Sequence, residues 1–336
     1  MSALVAIWAS VAALFSIVAR MRLRSLRHDP SVRSDRACVV LRPVDNPSDA
    51  EIANLAAPHE AHWQEVILSP RAIRGIAHQH SDPRTPNRKV GHVSQALREL
   101  GDVHVLVIDA DVAISTALVE ALVGALESGA AMAFAAPRAL ASDGFAARAM
   151  SAVFFGSPHD FRLLFAMSAG APALCGKAIA LGPAARTLWP QLADYAGEDL
   201  ELASRLHASR ERVVRVEVPA TVIISATLRW SEAHARLLRW MRVLRAHRPA
   251  LYLTVPLVIA ATPFVLLGAA WAPLFALALV VTRGVVATSL GARPLDALLA
   301  EAIIAGAWLH SLIDSDLVWR GRRFRLAKGG VMRAVS

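Results

Sequence analysis

Cysteine is nearly absent from this 336-residue chain, with Cys38 and Cys175 its only two. Two thiols rule out a disulfide framework and a structural zinc site, and they make a reducing compartment the default for any soluble part. Tyrosine is equally scarce, at two residues, and aromatics are 6% of the chain. Base stacking on aromatic rings is thus poorly served, and no nucleic-acid partner is expected. Charged residues are only 19%, against 55% hydrophobic, and the mean hydropathy is +0.43. A disordered chain is excluded, and an ordinary soluble enzyme is less apolar than this, so part of the sequence must sit in lipid. Acids are the scarcer charge: 27 Asp and Glu against 36 Lys and Arg leave a net charge of +9. That excess suits anionic headgroups, phosphorylated substrates or nucleic acid, without choosing among them. There is no internal repeat or low-complexity tract.

What is present falls into blocks. Ala3 to Val18 is a continuous apolar stretch followed at once by Arg20, Arg22, Arg24 and Arg27. A cleavable signal peptide has the reverse order, so residues 1–20 read as an uncleaved anchor and 21–36 as a basic cytosolic linker, with the N-terminus outside. From 37 to 230 short apolar runs alternate with polar, Pro-containing connections. Ala37–Leu41, Glu65–Leu68, Val103–Ile108, Ala131–Ala135 and Val213–Val218 read as strands, and Val90–Leu100 and Thr116–Leu126 as helices. Strands apolar on both faces with helices between them predict a mostly parallel α/β sheet. Gly170–Gly182 is rich in small residues and reads as a strand and loop near a ligand.

The stretch 231–249 interleaves Arg236, Arg239, Arg242, Arg245 and Arg248 with apolar residues and reads as an interfacial amphipathic helix ended by Pro249. Within 250–318, Leu251–Ala270 and Pro273–Leu290 read as spans, the second interrupted by Arg283, and Leu295–Ile313 is weakened by Asp296 and Glu301. The basic tail 319–336 should share the cytosol with the α/β domain, which requires an even number of intervening spans. Two spans plus a re-entrant or interfacial Leu295–Ile313 are therefore expected.

Three signals could carry chemistry. Val105-Leu106-Val107-Ile108 runs into Asp109 and Asp111, spaced i, i+2. At the carboxyl end of a strand both carboxylates can point the same way, toward where open α/β sheets bind ligands, and their oxygens suit Mg²⁺ or Mn²⁺ bridging to a diphosphate. A polar strand end or a helix cap explains the same pattern. Gly197-Glu198-Asp199-Leu200-Glu201 opens an amphipathic helix; first-turn acids are favoured by the helix dipole alone, yet a carboxylate across a cleft from a diphosphate is placed to act as a base. Arg236-x-x-Arg239-Trp240 offers paired guanidinium bonds to phosphate and an apolar wall, or simply meets headgroups. The twelve histidines show no metal-ligand spacing.

Taken in order, and with Leu41-Arg42-Pro43, Asn87-Arg88-Lys89-Val90 and the closing Trp319-Arg320-Gly321-Arg322-Arg323-Phe324-Arg325, these motifs resemble glycosyltransferase family 2, in its ceramide glucosyltransferase-like and hopanoid-associated branch. The resemblance runs from about Val39 to Leu326. It implies a GT-A fold, Rossmann-like, between N- and C-terminal transmembrane helices, binding a UDP-sugar donor and a divalent metal, Mg or Mn, and inverting the anomeric carbon. It implies that Asp109 and Asp111 are the metal carboxylates and that Asp199 is the general base. Pro43, Lys89, Arg236, Arg239 and Trp240 would be donor-binding. The implied reaction moves a hexose to a lipid hydroxyl, ceramide- or hopanoid-like, in a bacterial inner membrane with the catalytic domain in the cytosol. One departure stands out: Glu65–Leu68 leads to Ser69-Pro70-Arg71, where the family places an Asp against uracil, leaving Asp45, Asp49 and Asp82 as substitutes. A catalytically inactive scaffold and a polysaccharide synthase are the alternatives.

Overall fold

The computed structural model describes residues 1–24, 37–58, 63–140, 142–168, 173–313, 316–319 and 322–335. Arg27, most of the basic linker, Gly170, Arg320 and Gly321 lie outside the described residues. From the N-terminus run α1 (Ser2–Arg24), β1 (Cys38–Pro43), α2 (Asp49–Leu55), β2 (Gln64–Ser69), β3 (Gln79–His80), α3 (Arg88–Leu97), β4 (His104–Ile108), β5 (Val112–Ala113), α4 (Thr116–Glu127), β6 (Met132–Ala139), α5 (Phe145–Phe155) and α6 (Ser157–Met167). There follow β7 (Ala178–Leu181), α7 (Pro183–Leu188), α8 (Glu198–Ala208), β8 (Val213–Val222), α9 (Trp230–His247), α10 (Pro249–Thr254), α11 (Ala261–Leu267), α12 (Pro273–Ser289), α13 (Pro294–Ile313), β9 (Asp316–Trp319), β10 (Arg322–Leu326) and β11 (Met332–Ala334). The chain forms two compact units, one of His28–Arg138 with Leu164–Ile223, the other of Met1–Arg27, Ala139–Leu163 and Ile224–Ser336.

The first unit is built on an eight-stranded sheet of order β3-β2-β1-β4-β7-β6-β8-β5. Every residue of Cys38–Pro43 and of His104–Ile108 is buried, as strands covered on both faces require. β1 pairs in parallel with β2 and with β4, Leu41 lying opposite Val66 on one side and Val107 on the other. β7 enters antiparallel between β4 and β6, and β5 pairs antiparallel with β8. The result is an open, Rossmann-like α/β sheet of the GT-A class. The chain leaves β1 toward β2 and returns on the opposite side as β4. This reversal opens a crevice at the carboxyl ends of β1 and β4, the usual ligand position in such sheets. Helix starts are locally encoded: Asn87 accepts from the Val90 N–H at 3.2 Å and Ser115 from the Leu118 N–H at 3.3 Å.

In the second unit α1 buries Val5, Ala9 and Ala12 against Ala261, Val265, Ala272, Ala276 and Leu279 of α11, α12 and the turn before α12. Small residues let these helices approach closely, as packing in lipid demands. Leu4, Ile7, Val11, Leu14 and Val18 form an exposed stripe on the same helix. Among the described residues two helices are long and apolar enough to cross a membrane, Ser2–Met21 and Pro294–Ile313. This alters the expected pattern at the C-terminal end. Leu251–Ala270 is broken: α10, a π-helical turn over Val255–Ile259 and α11 bend by 60°. Pro273–Ser289 is shorter, at 17 residues, while 294–313 is a full-length apolar helix. The acids that weakened this last segment are partnered, Glu301 with Arg283 of α12 at 2.9 Å and Asp296 with Arg148 of α5 at 3.3 Å. The expected interfacial helix forms as α9, but Ala233, Leu237, Leu238 and Met241 of its apolar side are buried in protein packing that includes α13. The basic tail folds into an antiparallel β9-β10-β11 sheet.

Candidate functional site

β4 ends at Ile108, and the two acids follow in the crevice position. Their loop is held from behind by a buried guanidinium. Arg42, only 1% exposed on β1, binds Glu65 of β2 at 3.0 Å and donates to the carbonyls of Asp109, Ala110 and Val112 at 3.1, 3.0 and 2.9 Å. Asn54 of α2 donates to the Ala110 and Val112 carbonyls at 2.8 and 2.9 Å. A charge this deep is tolerated only because it is paired and hydrogen-bonded, and it fixes the turn that presents both carboxylates.

Two ammonium groups meet those carboxylates. Lys89, in the first turn of α3, lies 2.8 Å from Asp109 Oδ1 and 3.2 Å from Glu198 Oε1, and donates to the Gly176 carbonyl at 2.7 Å. Lys177, just before β7, lies 3.2 Å from Asp109 Oδ2 and 2.7 and 2.6 Å from the two oxygens of Asp111. Burial alone would raise the Asp109 pKa; Lys89 and Lys177 overcome it and draw the group down to about 2. Burial likewise opposes the charge on Lys89, but Asp109 and Glu198 outweigh it and its pKa is raised.

Asn87, the cap of α3, donates its amide to Glu198 at 3.0 Å and to the Tyr195 carbonyl at 2.8 Å, tying α3 to the start of α8. Asp199 follows in the first turn and accepts from the Leu200 N–H at 2.8 Å. Burial and the neighbouring Glu198 push its pKa up to about 7, against the pull of Lys89 and the N–H groups of Leu200 and Gly176. Loss of solvent and a like charge thus outweigh the nearby cation and the two N–H groups. Gly176 sits in close contact with it: a Cβ there would lie 2.8 Å from the Asp199 Cβ. Gly176→Ala should accordingly displace Asp199 and, if that acid is the base the resemblance implies, lower kcat by at least about tenfold, since small misplacements of a reacting group are costly. Steady-state kinetics on the variant with an unchanged donor KM is the expected result, and wild-type kcat would refute it.

Asp109, Asp111, Lys89 and Asp199 are thus brought together in one unit. Pro43 closes β1, buried and in register with Leu68. Arg236, Arg239 and Trp240 lie on α9 in the other unit, where Arg239 stacks over Trp319 at 5.8 Å and Trp240 meets Phe154 edge-on at 5.5 Å. Of the substitutes for the family's second-strand Asp, Asp45 and Asp82 share Arg88 at 2.7 and 2.8 Å, and Asp45 also meets His92 at 3.1 Å. Burial and Arg88 push His92 down to about 4, so it is neutral at pH 7. Asp49 instead lies in the first turn of α2. Lys177 and Arg42 are the site residues that sequence reading passed over. The small-residue texture of the segment before β7 was the available signal for Lys177. Cys175 beside it is pushed up to about 12 by burial and Asp199, which keeps the thiol protonated and unreactive.

Asp109 and Asp111 both reach the Lys177 nitrogen, and among the described residues no third His, Cys, Asp or Glu completes a metal-binding group. Two protein carboxylates with the remaining ligands from substrate phosphates is a common way to hold Mg²⁺, so the donor set fits a divalent ion that arrives with a diphosphate.

Residues 76–332 match the sequence profile of glycosyl transferase family 21. No curated protein matches the chain by sequence. Among solved structures the chain is similar to the bifunctional IspDF from Campylobacter jejuni, at 12% identity and a TM-score of 0.32, over 54% of this chain and 50% of that one. It is also similar to mannosyl-3-phosphoglycerate synthase from Rubrobacter xylanophilus, at 17% identity and a TM-score of 0.33, over 68% of this chain and 77% of that one. The chain therefore spans about half the length of the first of these.

Proposed function

The chain belongs to glycosyltransferase family 21, and from that premise we propose that it moves a hexose from a UDP-sugar to the hydroxyl of a membrane lipid, ceramide-like or hopanoid-like, with inversion. The observation that carries this reading is the packing of Asp109 and the first turn of α8 around Lys89, with Lys177 joining Asp109 to Asp111. Carboxylates and ammonium groups gathered at the carboxyl end of β4 are the side-chain types such a transfer needs, and this supports the reading. Helices suited to crossing a membrane support a lipid acceptor and a bilayer location. The basic residues beside α1 and in the tail support a cytosolic catalytic unit at a bacterial inner membrane.

In the proposed reaction Asp199, in its ionised form, takes the proton of the acceptor hydroxyl. The oxygen attacks the anomeric carbon, the bond to the diphosphate breaks on the opposite face, and UDP leaves. Lys89 and Lys177 are the cations available to the departing charge in this unit. Asp109 and Asp111 would hold a divalent ion, which when bound supplies further neutralisation of the diphosphate.

A catalytically inactive GT-A-like scaffold is the second reading, favoured by Ser69-Pro70-Arg71 at the end of β2. One experiment separates the two. Membranes containing the full chain are incubated with labelled UDP-glucose, UDP-galactose and UDP-N-acetylglucosamine, and labelled lipids are identified by mass spectrometry. A labelled lipid that disappears in Asp199→Asn supports transfer; absence of both labelled lipid and UDP-sugar binding supports the scaffold.

A further inference from the structure

All four oxygens of the Asp109 and Asp111 carboxylates face ammonium groups. Asp109 Oδ1 is 2.8 Å from Lys89, Asp109 Oδ2 is 3.2 Å from Lys177, and both Asp111 oxygens are within 2.7 Å of Lys177. The Lys177 nitrogen is therefore chelated by Asp111 while touching Asp109. A divalent ion bound by the same oxygens at about 2.0–2.2 Å would occupy nearly the same point, and the two cations cannot coexist there. Lys177 is also well placed to be the group that moves. It precedes β7 instead of lying within it, and a lysine stem has four carbons through which to swing its head. Lys89, by contrast, is fixed on three sides by Asp109, Glu198 and the Gly176 carbonyl.

We infer that Lys177 is a built-in competitor for the divalent ion. Its ammonium holds the Asp109–Asp111 pair when no donor is bound, and it yields that position when the ion arrives with a nucleoside diphosphate, to whose oxygens the displaced ammonium can then bind. The inference rests on the proposed metal-and-donor reading of the pair. Metal alone must evict Lys177 without compensation and binds weakly. Metal with diphosphate gives the evicted ammonium a new anionic partner and binds more tightly. Lys177 is thus a positioning residue that couples metal binding to donor binding.

The test is Mn²⁺ titration of the purified full chain in nanodiscs, read by electron paramagnetic resonance of free Mn²⁺, with and without UDP. Lys177→Met removes the competing charge while keeping a stem of similar length. It should bind Mn²⁺ alone about tenfold or more tightly than the wild type, and the enhancement by UDP should shrink by a similar factor, because the two ligands are thermodynamically linked. Lys177→Arg, which keeps a cation, should behave like the wild type. Thermal melts provide the check on folding: Mn²⁺ alone should raise the apparent Tm of Lys177→Met and barely move that of the wild type. Equal Mn²⁺ affinity in the wild type and Lys177→Met would overturn the inference and leave the metal reading intact. No Mn²⁺ binding to any of the three proteins, with UDP or without, would overturn the metal reading and this inference with it.

Discussion

Replacing Asp199 with Asn should lower the transfer rate by about 10² to 10⁴, the range general-base catalysis supplies, while UDP-sugar binding stays within a few-fold of the wild type. Asn has nearly the same shape, and its carbonyl oxygen can still accept from the Leu200 N–H as Asp199 does, so the first turn of α8 should be preserved. What is lost is the negative charge that takes the proton. The pH dependence makes the same point independently. A base must be ionised, and with burial and Glu198 pushing Asp199 up to about 7 the rate should rise with pH through a limb centred near that value. Glu198→Gln removes the like charge. The ionised form of Asp199 then becomes easier to reach, its pKa falls, and the limb moves to lower pH. Measuring kcat from pH 5 to 9 for the three proteins decides the matter. Full activity in Asp199→Asn, or a limb unmoved by Glu198→Gln, would remove Asp199 from the role.

Those acids were legible because each sits where local periodicity and tertiary position coincide. The run Val105–Ile108 can be little other than a buried strand, and it delivers Asp109 and Asp111 to the sheet's carboxyl end, where the turn held by Arg42 brings both carboxylates onto Lys177. The first turn of α8 is marked by its acids. Lys177 was legible only as part of a small-residue segment, since nothing at the residue itself distinguishes a lysine in an irregular segment from one in solvent. Its role comes from β7 pairing antiparallel with β4, so that the residue preceding β7 meets the residues following β4. Arg42 was hidden for a related reason. A charged residue in a strand is ordinarily exposed, and only the neighbouring Glu65 and the carbonyls of the Asp109–Val112 turn make its burial tolerable. At the membrane end Asp296 and Glu301 weaken a span when only the sequence is read, whereas in the fold Arg148 and Arg283 partner them across helices. The resemblance located the motifs and pointed to a glycosyltransferase, which the match to glycosyl transferase family 21 bears out.

Lys89→Met should produce the largest loss of stability in the catalytic unit. The ammonium joins Asp109, Glu198 and the Gly176 carbonyl, with its own side chain 11% and that of Glu198 9% exposed. Removing one partner of a buried ion pair costs about 3–5 kcal/mol when the other charge is left bare; here Asp109 keeps Lys177 and Glu198 keeps the Asn87 amide, which sets the loss at the low end of that range. At roughly 2–4 °C per kcal/mol for a unit of this size, the apparent Tm should drop by about 10 °C. The sign of the pH dependence follows from linkage. In the wild type Asp109 is depressed to about 2, so its contribution is fully present above the ordinary carboxylate range and is lost only as pH falls toward that value. Without Lys89 the pull on Asp199, already at about 7 in the wild type, is lost and its pKa rises, so between about pH 6 and 8 the folded variant's carboxyls bind more protons than those of the wild type. The gap in Tm between the two proteins should therefore be widest near pH 8 and should narrow on going to pH 5. Thermal melts of the full chain in detergent at both values measure it. A gap of the same size at both pH values would mean that Lys89 stabilises the fold through its aliphatic stem and not through the charges it joins. The electrostatic account of how α3, β4 and α8 are held together would then have to be given up.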